Sequence, residues 1–256
     1  MHSFRRYLKP WDLVVILLLG FTVWVQGSYI IGPPGFGPIF PSTGIPSFVQ
    51  SKFNVTAAAT SIAVSFTTLP AITNVVIVGL ESGTGNTAES VTDNQGNAYS
   101  KLTKIPADLA AGAHGTMWCA PVVVSAGTFT ITGTTSSIVH SIFILEYKNG
   151  TCNLDVLSGA AGSTSPYSCG SLTTRNANDL IVAFLAFQWG GGGTITYTAP
   201  SGFTIRESQT DGATFLAAGS IADKIVSATG TFNGTYSTGG KDNVSQGCMQ
   251  VALLSH

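Results

Sequence analysis

The stretch that decides the fold is Thr73-Asn-Val-Val-Ile-Val-Gly-Leu80, together with its near copy Asn178-Asp-Leu-Ile-Val-Ala-Phe-Leu185. Each is an apolar run rich in β-branched residues, opened by Asn or Asp. A run of this length without polar alternation reads as a strand covered on both faces. The two copies stand 105 residues apart (178 − 73 = 105).

Working outward, the same spacing recurs. Asn97-Ala-Tyr-Ser-Lys-Leu resembles Gly202-Phe-Thr-Ile-Arg at an offset of 104 (203 − 99 = 104). Gly127-Thr-Phe-Thr-Ile-Thr-Gly resembles Gly230-Thr-Phe-Asn-Gly-Thr at 103 (230 − 127 = 103), and residues 141–147 fall where 246–254 recurs. Nearly constant spacing over several blocks is the mark of an internal repeat. Other β-rich segments lie at 61–67, 98–104, 116–124, 128–132, 203–208 and 214–223, with Gly, Ser, Thr and Asn between them. That pattern predicts an all-β chain: an antiparallel β-sandwich, jelly-roll or Ig-like, built from two pseudo-repeated halves over residues 47–256. The halves are expected to close one sandwich and fold as one unit. Two separate Ig-like domains divided near residues 158–171 are the alternative.

Composition narrows the function classes. Of the 256 residues 30 are Gly, and only 9% are charged. Eleven Lys and Arg against 12 Asp and Glu give a net charge of −1. A nucleic-acid binder needs a concentrated basic face, which this balance does not supply. The apolar content is too high and the charge too low for a disordered chain.

The first residues read as an export signal. Arg5, Arg6 and Lys9 precede the apolar run 13–25, and Gln26-Gly27-Ser28 follows. Residues 1–27 are predicted to be a hydrophobic helix serving as a cleaved secretory signal, with an uncleaved anchor over residues 13–31 as the rival. Either places the remainder outside the cytoplasm, by secretion or on a membrane anchor. Without residues 1–27 the chain keeps 8 basic and 11 acidic groups. Residues 28–46 hold Pro33, Pro34, Pro38, Pro41 and Pro46 and read as an extended linker.

Four cysteines lie beyond the signal, and an even count in an oxidising compartment favours disulfides. Three connectivities are open; Cys152 and Cys169 bracket a Gly- and Ser-rich stretch that reads as a loop, which their pairing would close. Cys119 and Cys248 fall in predicted strands of different halves and, if joined, would tie the halves together; two buried free thiols are the alternative. Zinc is disfavoured because no C-x-x-C spacing occurs.

Three places could hold chemistry. Val91-Thr-Asp-Asn-Gln-Gly-Asn-Ala-Tyr99 offers oxygen ligands at Asp93, Asn94 and Asn97 around Gly96. Such a mix suits calcium, but the D-x-D ladder and the terminal Glu are missing, and a tight hairpin turn is the favoured reading. Glu81 and Glu146 end apolar strands, and paired carboxylates are what glycoside hydrolysis needs. Trp189, before Gly190–Gly193, and Tyr197 could stack on sugar faces, with Phe203 close after; burial of Tyr197 and Phe203 in the core is the competing reading. Four N-x-S/T sequons stand at Asn54, Asn149, Asn233 and Asn243. No catalytic motif and no cofactor is expected.

The run VTDNQGNAYSKL (residues 91–102), then MWCAP (117–121), GTFTIT and ILEY (144–147) resembles a pattern in large secreted bacterial and phage-encoded β-sandwich proteins. This chain departs from it at Cys119, where the pattern has an aromatic residue. The resemblance covers roughly residues 74–254, rests on structural motifs, and implies an exported or virion-exposed sandwich engaged in surface contact. Three functions follow as expectations. The first is a non-enzymatic surface or virion module in adhesion or assembly. The second is a carbohydrate-binding, lectin-like module, and the third a glycan-cleaving jelly-roll enzyme. The expected partners are a cell-surface glycan or protein, or further copies of the chain, with membrane contact only through residues 13–31.

Overall fold

The computed structural model describes residues 44–83, 89–104, 113–188, 193–210, 217–239 and 246–255. The predicted N-terminal helix, Trp189 and the sequon at Asn243 lie outside these residues. All secondary structure among the described residues is β. In chain order the strands are β1 (Ser47–Ser65), β2 (Val75–Gly83), β3 (Glu89–Asp93), β4 (Ser100–Lys104), β5 (Ala113–Pro121), β6 (Thr130–Lys148), β7 (Gly150–Gly162), β8 (Tyr167–Thr173), β9 (Leu180–Gln188), β10 (Thr196–Thr198), β11 (Thr204–Ser208), β12 (Ala217–Ile225), β13 (Thr231–Gly239) and β14 (Gln246–Ser255).

Two sheets form the centre, in the orders β1-β6-β2-β5-β4 and β7-β14-β9-β12-β11. All pairings are antiparallel. The two orders are the same order read through the repeat. β9 starts 105 residues after β2 (180 − 75 = 105), and β12 starts 104 after β5 (217 − 113 = 104). The outer layers repeat as well. In the second half β10-β13-β8 is a separate three-stranded sheet. In the first half its counterpart is made by β3 and the outer parts of β1 and β6. These two strands are 19 residues long and break register in the middle. The early part of β6 folds back over the sheet, so that a side chain at Gly133 would collide with Leu80. Each half is therefore a small sandwich of its own, and the halves meet through their larger sheets.

The reason lies in the apolar runs quoted first. In β2, Val76, Val78 and Leu80 face the outer layer of their own half, with Ile62, Val91, Phe129 and Ile131. Val75 and Ile77 face the other half, where Val182, Phe184, Met249 and Val251 meet them. β9 does the same: Ala183 and Leu185 pack outward with Tyr167, Tyr236 and Ala218. A strand at the seam has no solvent side, so no polar alternation survives in it. Glycines set the approach distance. A Cβ on Gly79 would lie 3.2 Å from the Phe184 ring, and one on Gly219 would lie 3.1 Å from Phe143.

Of the three connectivities, the cysteines do not take the one with Cys152–Cys169 and Cys119–Cys248 weighed above, nor are any of them free thiols. Two disulfides form, Cys119–Cys152 and Cys169–Cys248. The correction has a geometric cause. Residues 152–169 are mainly the strands β7 and β8, not a loop. Cys119 faces the seam in line with Met117, and β7 lies opposite β5 there, 5.6 Å away between Cα atoms. Cys248 faces away from the seam, against the outer sheet that carries Cys169. The first bridge ties the two halves; the second staples the two sheets of the second half.

Candidate functional site

The turn at residues 93–97 is held from within. Asp93 Oδ1 accepts the backbone N–H groups of Gln95 (2.9 Å), Gly96 (2.7 Å) and Asn97 (3.1 Å). Its Oδ2 accepts Asn97 Nδ2 (2.9 Å) and the Tyr99 hydroxyl (3.2 Å). Asn97 Oδ1 accepts the N–H groups of Val123 and Val124, and Asn94 Oδ1 accepts that of Thr130. Gly96 sits at φ 84°, a conformation open to glycine at little cost. Asp93 thus closes the turn on itself while Asn94 and Asn97 fasten it to residues 123–130, and the side-chain oxygens of all three are occupied by donors. Burial, reinforced by the Asp93 charge, pushes the Tyr99 phenol far above its usual range.

Glu81 and Glu146 do not share a cleft. Both face β2–β6 register partners, Glu146 beside Val76 and Glu81 beside Ser141. Five residues of β2 separate those positions, about 17 Å at the strand rise. The two also point to opposite faces. Glu81 lies on the Val75–Ile77 side, toward the seam, whereas Glu146 follows the alternation of Ile142 and Ile144 toward the outer layer. Hydrolysis by two carboxylates, with spacings of roughly 5–9.5 Å, does not fit this pair. Glu146 is a structural anchor that accepts Gln50 Nε2 (2.6 Å), Ala71 N (3.0 Å) and Asn74 Nδ2 (2.5 Å). Glu81 accepts Ser141 Oγ at 2.5 Å, and its Oε1 is buried with no hydrogen bond. Burial pushes this carboxyl well above the usual range, against the opposing effect of Ser141 and the Ala218 amide across the seam.

At the other end of the seam lies a polar cluster that the sequence reading missed. The Tyr147 hydroxyl donates to Asp223 Oδ2 (2.7 Å), and Arg206 Nε donates to Asp223 Oδ1 (2.8 Å). The Arg206 guanidinium lies 3.9 Å from the centre of the Phe48 ring, which packs edge-on to Tyr147. Ser51 Oγ donates to Glu207 Oε1 at 2.8 Å. Phe48, Ser51 and Tyr147 belong to the first half, and Arg206, Glu207 and Asp223 to the second. The cluster gives the seam a fixed register.

Tyr197 turns inward. Its ring packs on the core of the second half and its hydroxyl donates to Gln209 O at 2.7 Å. A cleft of about 280 Å³ is lined by Lys224, Val226, Ser227, Thr229 and the half-buried Phe232. The Lys224 ammonium lies 5.1 Å from the Phe232 ring centre and 5.8 Å from that of Phe203. A half-buried ring, hydroxyls and a cation in one shallow cleft can hold a polar ligand with one apolar face. The residues were visible in the sequence, but only the β11–β12 pairing and the β12–β13 turn together bring Phe203, Lys224 and Phe232 into one place. Compared with protein-family models, curated proteins and solved structures, this chain matches none.

Proposed function

We propose that the chain is a non-enzymatic β-sandwich displayed outside the cell or on a virion, where it acts by surface contact in adhesion or assembly. What carries this reading is the doubled sandwich itself, with the Cys119–Cys152 bridge across its seam. Disulfides persist in oxidising compartments, and a covalently closed seam suits a head that must keep its shape outside the cell. The resemblance of the VTDNQGNAY and ILEY motifs to secreted and phage-encoded sandwiches points the same way. Attachment through residues 13–31 or release after cleavage both accommodate it. The test is surface labelling of intact cells or virions with a membrane-impermeant biotin, followed by non-reducing peptide mapping. Labelling with both bridges intact supports the reading; an unlabelled protein carrying free thiols refutes it.

A carbohydrate-binding role is the second reading, favoured by the cleft of Lys224, Ser227, Thr229 and Phe232. Sugars present an apolar face to aromatic rings and hydroxyls to polar side chains. Retention on a glycan array that Phe232→Ala abolishes, with the melting temperature little changed, would support it. Equal retention by both proteins would rule out this cleft.

A further inference from the structure

Lys224 and its neighbour Asp223 point to opposite faces of β12. Asp223 is turned to the seam, where it takes Tyr147 and Arg206. The Lys224 ammonium is turned to the outer layer, 5.1 Å from the Phe232 ring centre and 5.8 Å from that of Phe203. It also lies over the bare backbone of Gly202, where a Cβ would stand 2.8 Å from Nζ. Two rings and a glycine thus hold the cation in place. Lys101 and Arg206 each have a carboxylate partner, but among the described residues no carboxylate pairs with Lys224.

The repeat shows the same place closed. Lys224 pairs with Ile181 as Ala120 pairs with Val76 (224 − 120 = 104, 181 − 76 = 105). Phe232 answers to Phe129 (232 − 129 = 103), in the Gly-Thr-Phe triplet of each half. In the first half Ala120 is 1% and Phe129 2% exposed, and the Phe66 ring centre lies 6.2 Å from that of Phe129. In the second half a lysine stands where the first has alanine, Phe232 is only half-buried, and the cleft lies beside them. The turn that rims the cleft is pinned at both ends. Val226 N–H donates to Asp179 O at 3.0 Å, while Gly230 O accepts Thr174 N–H at 3.0 Å and Gly230 N–H donates to Thr174 Oγ1 at 3.1 Å. Between these pins the Ser227 and Thr229 side chains are exposed, and their hydroxyls have no partner among the described residues.

Building on the carbohydrate reading of this cleft, we propose that it selects an anionic sugar residue, with the sugar ring on Phe232 and its acidic group on Lys224. The C–H face of a sugar packs on an aromatic ring, and its hydroxyls hydrogen-bond to those of Ser227 and Thr229. A neutral sugar would use every part of the cleft except the charge. A carboxylate or a sulfate ester uses that as well, because a hydrogen bond between two ions is roughly twice as strong as one between neutral groups. The ammonium is already positioned by the rings, so little of its freedom is lost on binding.

The test is retention of the full chain on an array of oligogalacturonates and of sulfated galactose oligosaccharides, each beside its neutral methyl-ester or desulfated form. At least one acidic form should be held about tenfold more tightly than its neutral form, and the arm that shows the difference identifies the anion. Raising NaCl from about 50 mM to about 500 mM should erode that difference. Lys224→Met keeps an apolar side chain between the rings and should bring the acidic form down to the level of the neutral one. Lys224→Arg keeps the charge and should keep the preference, which separates loss of charge from loss of fold. Equal retention of acidic and neutral forms, or a preference that survives Lys224→Met, would overturn the proposal; if Phe232→Ala still abolishes retention, the cleft reading stands without it. Retention of no sugar, or retention that survives Phe232→Ala, would overturn both.

Discussion

Replacing Phe184 by Ala strikes the seam at its most enclosed point. Phe184 is fully buried, its ring centre lies 5.6 Å from that of Phe143, and its ring covers Gly79 at 3.2 Å from where a Cβ would stand. Gly79 and Phe184 hold the same position in their repeats (184 − 79 = 105), so one half supplies the knob and the other the hole. Truncating a buried Phe costs about 3–5 kcal/mol, since the lost burial adds to the cavity left behind. For a protein of this size about 2–4 °C accompanies each kcal/mol, so the melting temperature should fall by roughly 12 °C. Thermal unfolding followed by near-ultraviolet circular dichroism reads this directly. Gly79→Ala attacks the same contact from the other side and should cost about 1–3 kcal/mol by overpacking. Combined, the two should cost less than their sum, because the added methyl occupies space vacated by the ring. A fall below about 3 °C for Phe184→Ala, or strict additivity of the pair, would refute the view that the halves share this core.

Three further outcomes are expected. Replacing Cys119 and Cys152 together by Ala opens a link spanning 33 residues and should lower stability by about 3.7 kcal/mol, measured by urea unfolding. Glu81 has a raised pKa in the folded protein, so its stabilising influence is complete at low pH and is lost as pH rises from the ordinary carboxylate range through the raised value. Glu81→Gln should therefore flatten the pH dependence and stabilise the protein at pH 8; an unchanged profile would contradict the assignment. Asp93→Ala removes the acceptor of three backbone N–H groups and should destabilise by about 3 kcal/mol, with or without calcium present. Rescue of the wild type alone by calcium would show that the turn does bind the ion.

The strands at the seam were legible because their environment leaves no ambiguity. Residues 75–80 and 180–185 are apolar on both faces, and the repeat spacing carried over to the equivalent strands. The turn at Asp93 was legible for a similar reason, since Asp, Gly and Asn at those spacings serve a left-handed turn, but the expected hairpin is corrected: β3 pairs with β6 and β4 with β5, so the turn crosses between partners. β7 was not. It is an edge strand, paired only with β14, and its half-exposed Gly, Ser and Ala residues resemble a loop. That misreading also hid the disulfide pairing, which depends on which face of each strand a cysteine occupies. Neighbouring residues of β14, Cys248 and Met249, face opposite layers. The cluster of Tyr147, Arg206 and Asp223 could not be read either, because single charges far apart in sequence carry no periodic signal. It exists only once the halves face each other with β1 over β11.

The account stands or falls on the seam being one shared core, and differential scanning calorimetry of the intact chain measures that most directly. It predicts one transition, with the calorimetric enthalpy equal to the van't Hoff enthalpy. Two resolved transitions, or a calorimetric enthalpy near twice the van't Hoff value, would mean that the halves unfold separately and would contradict it.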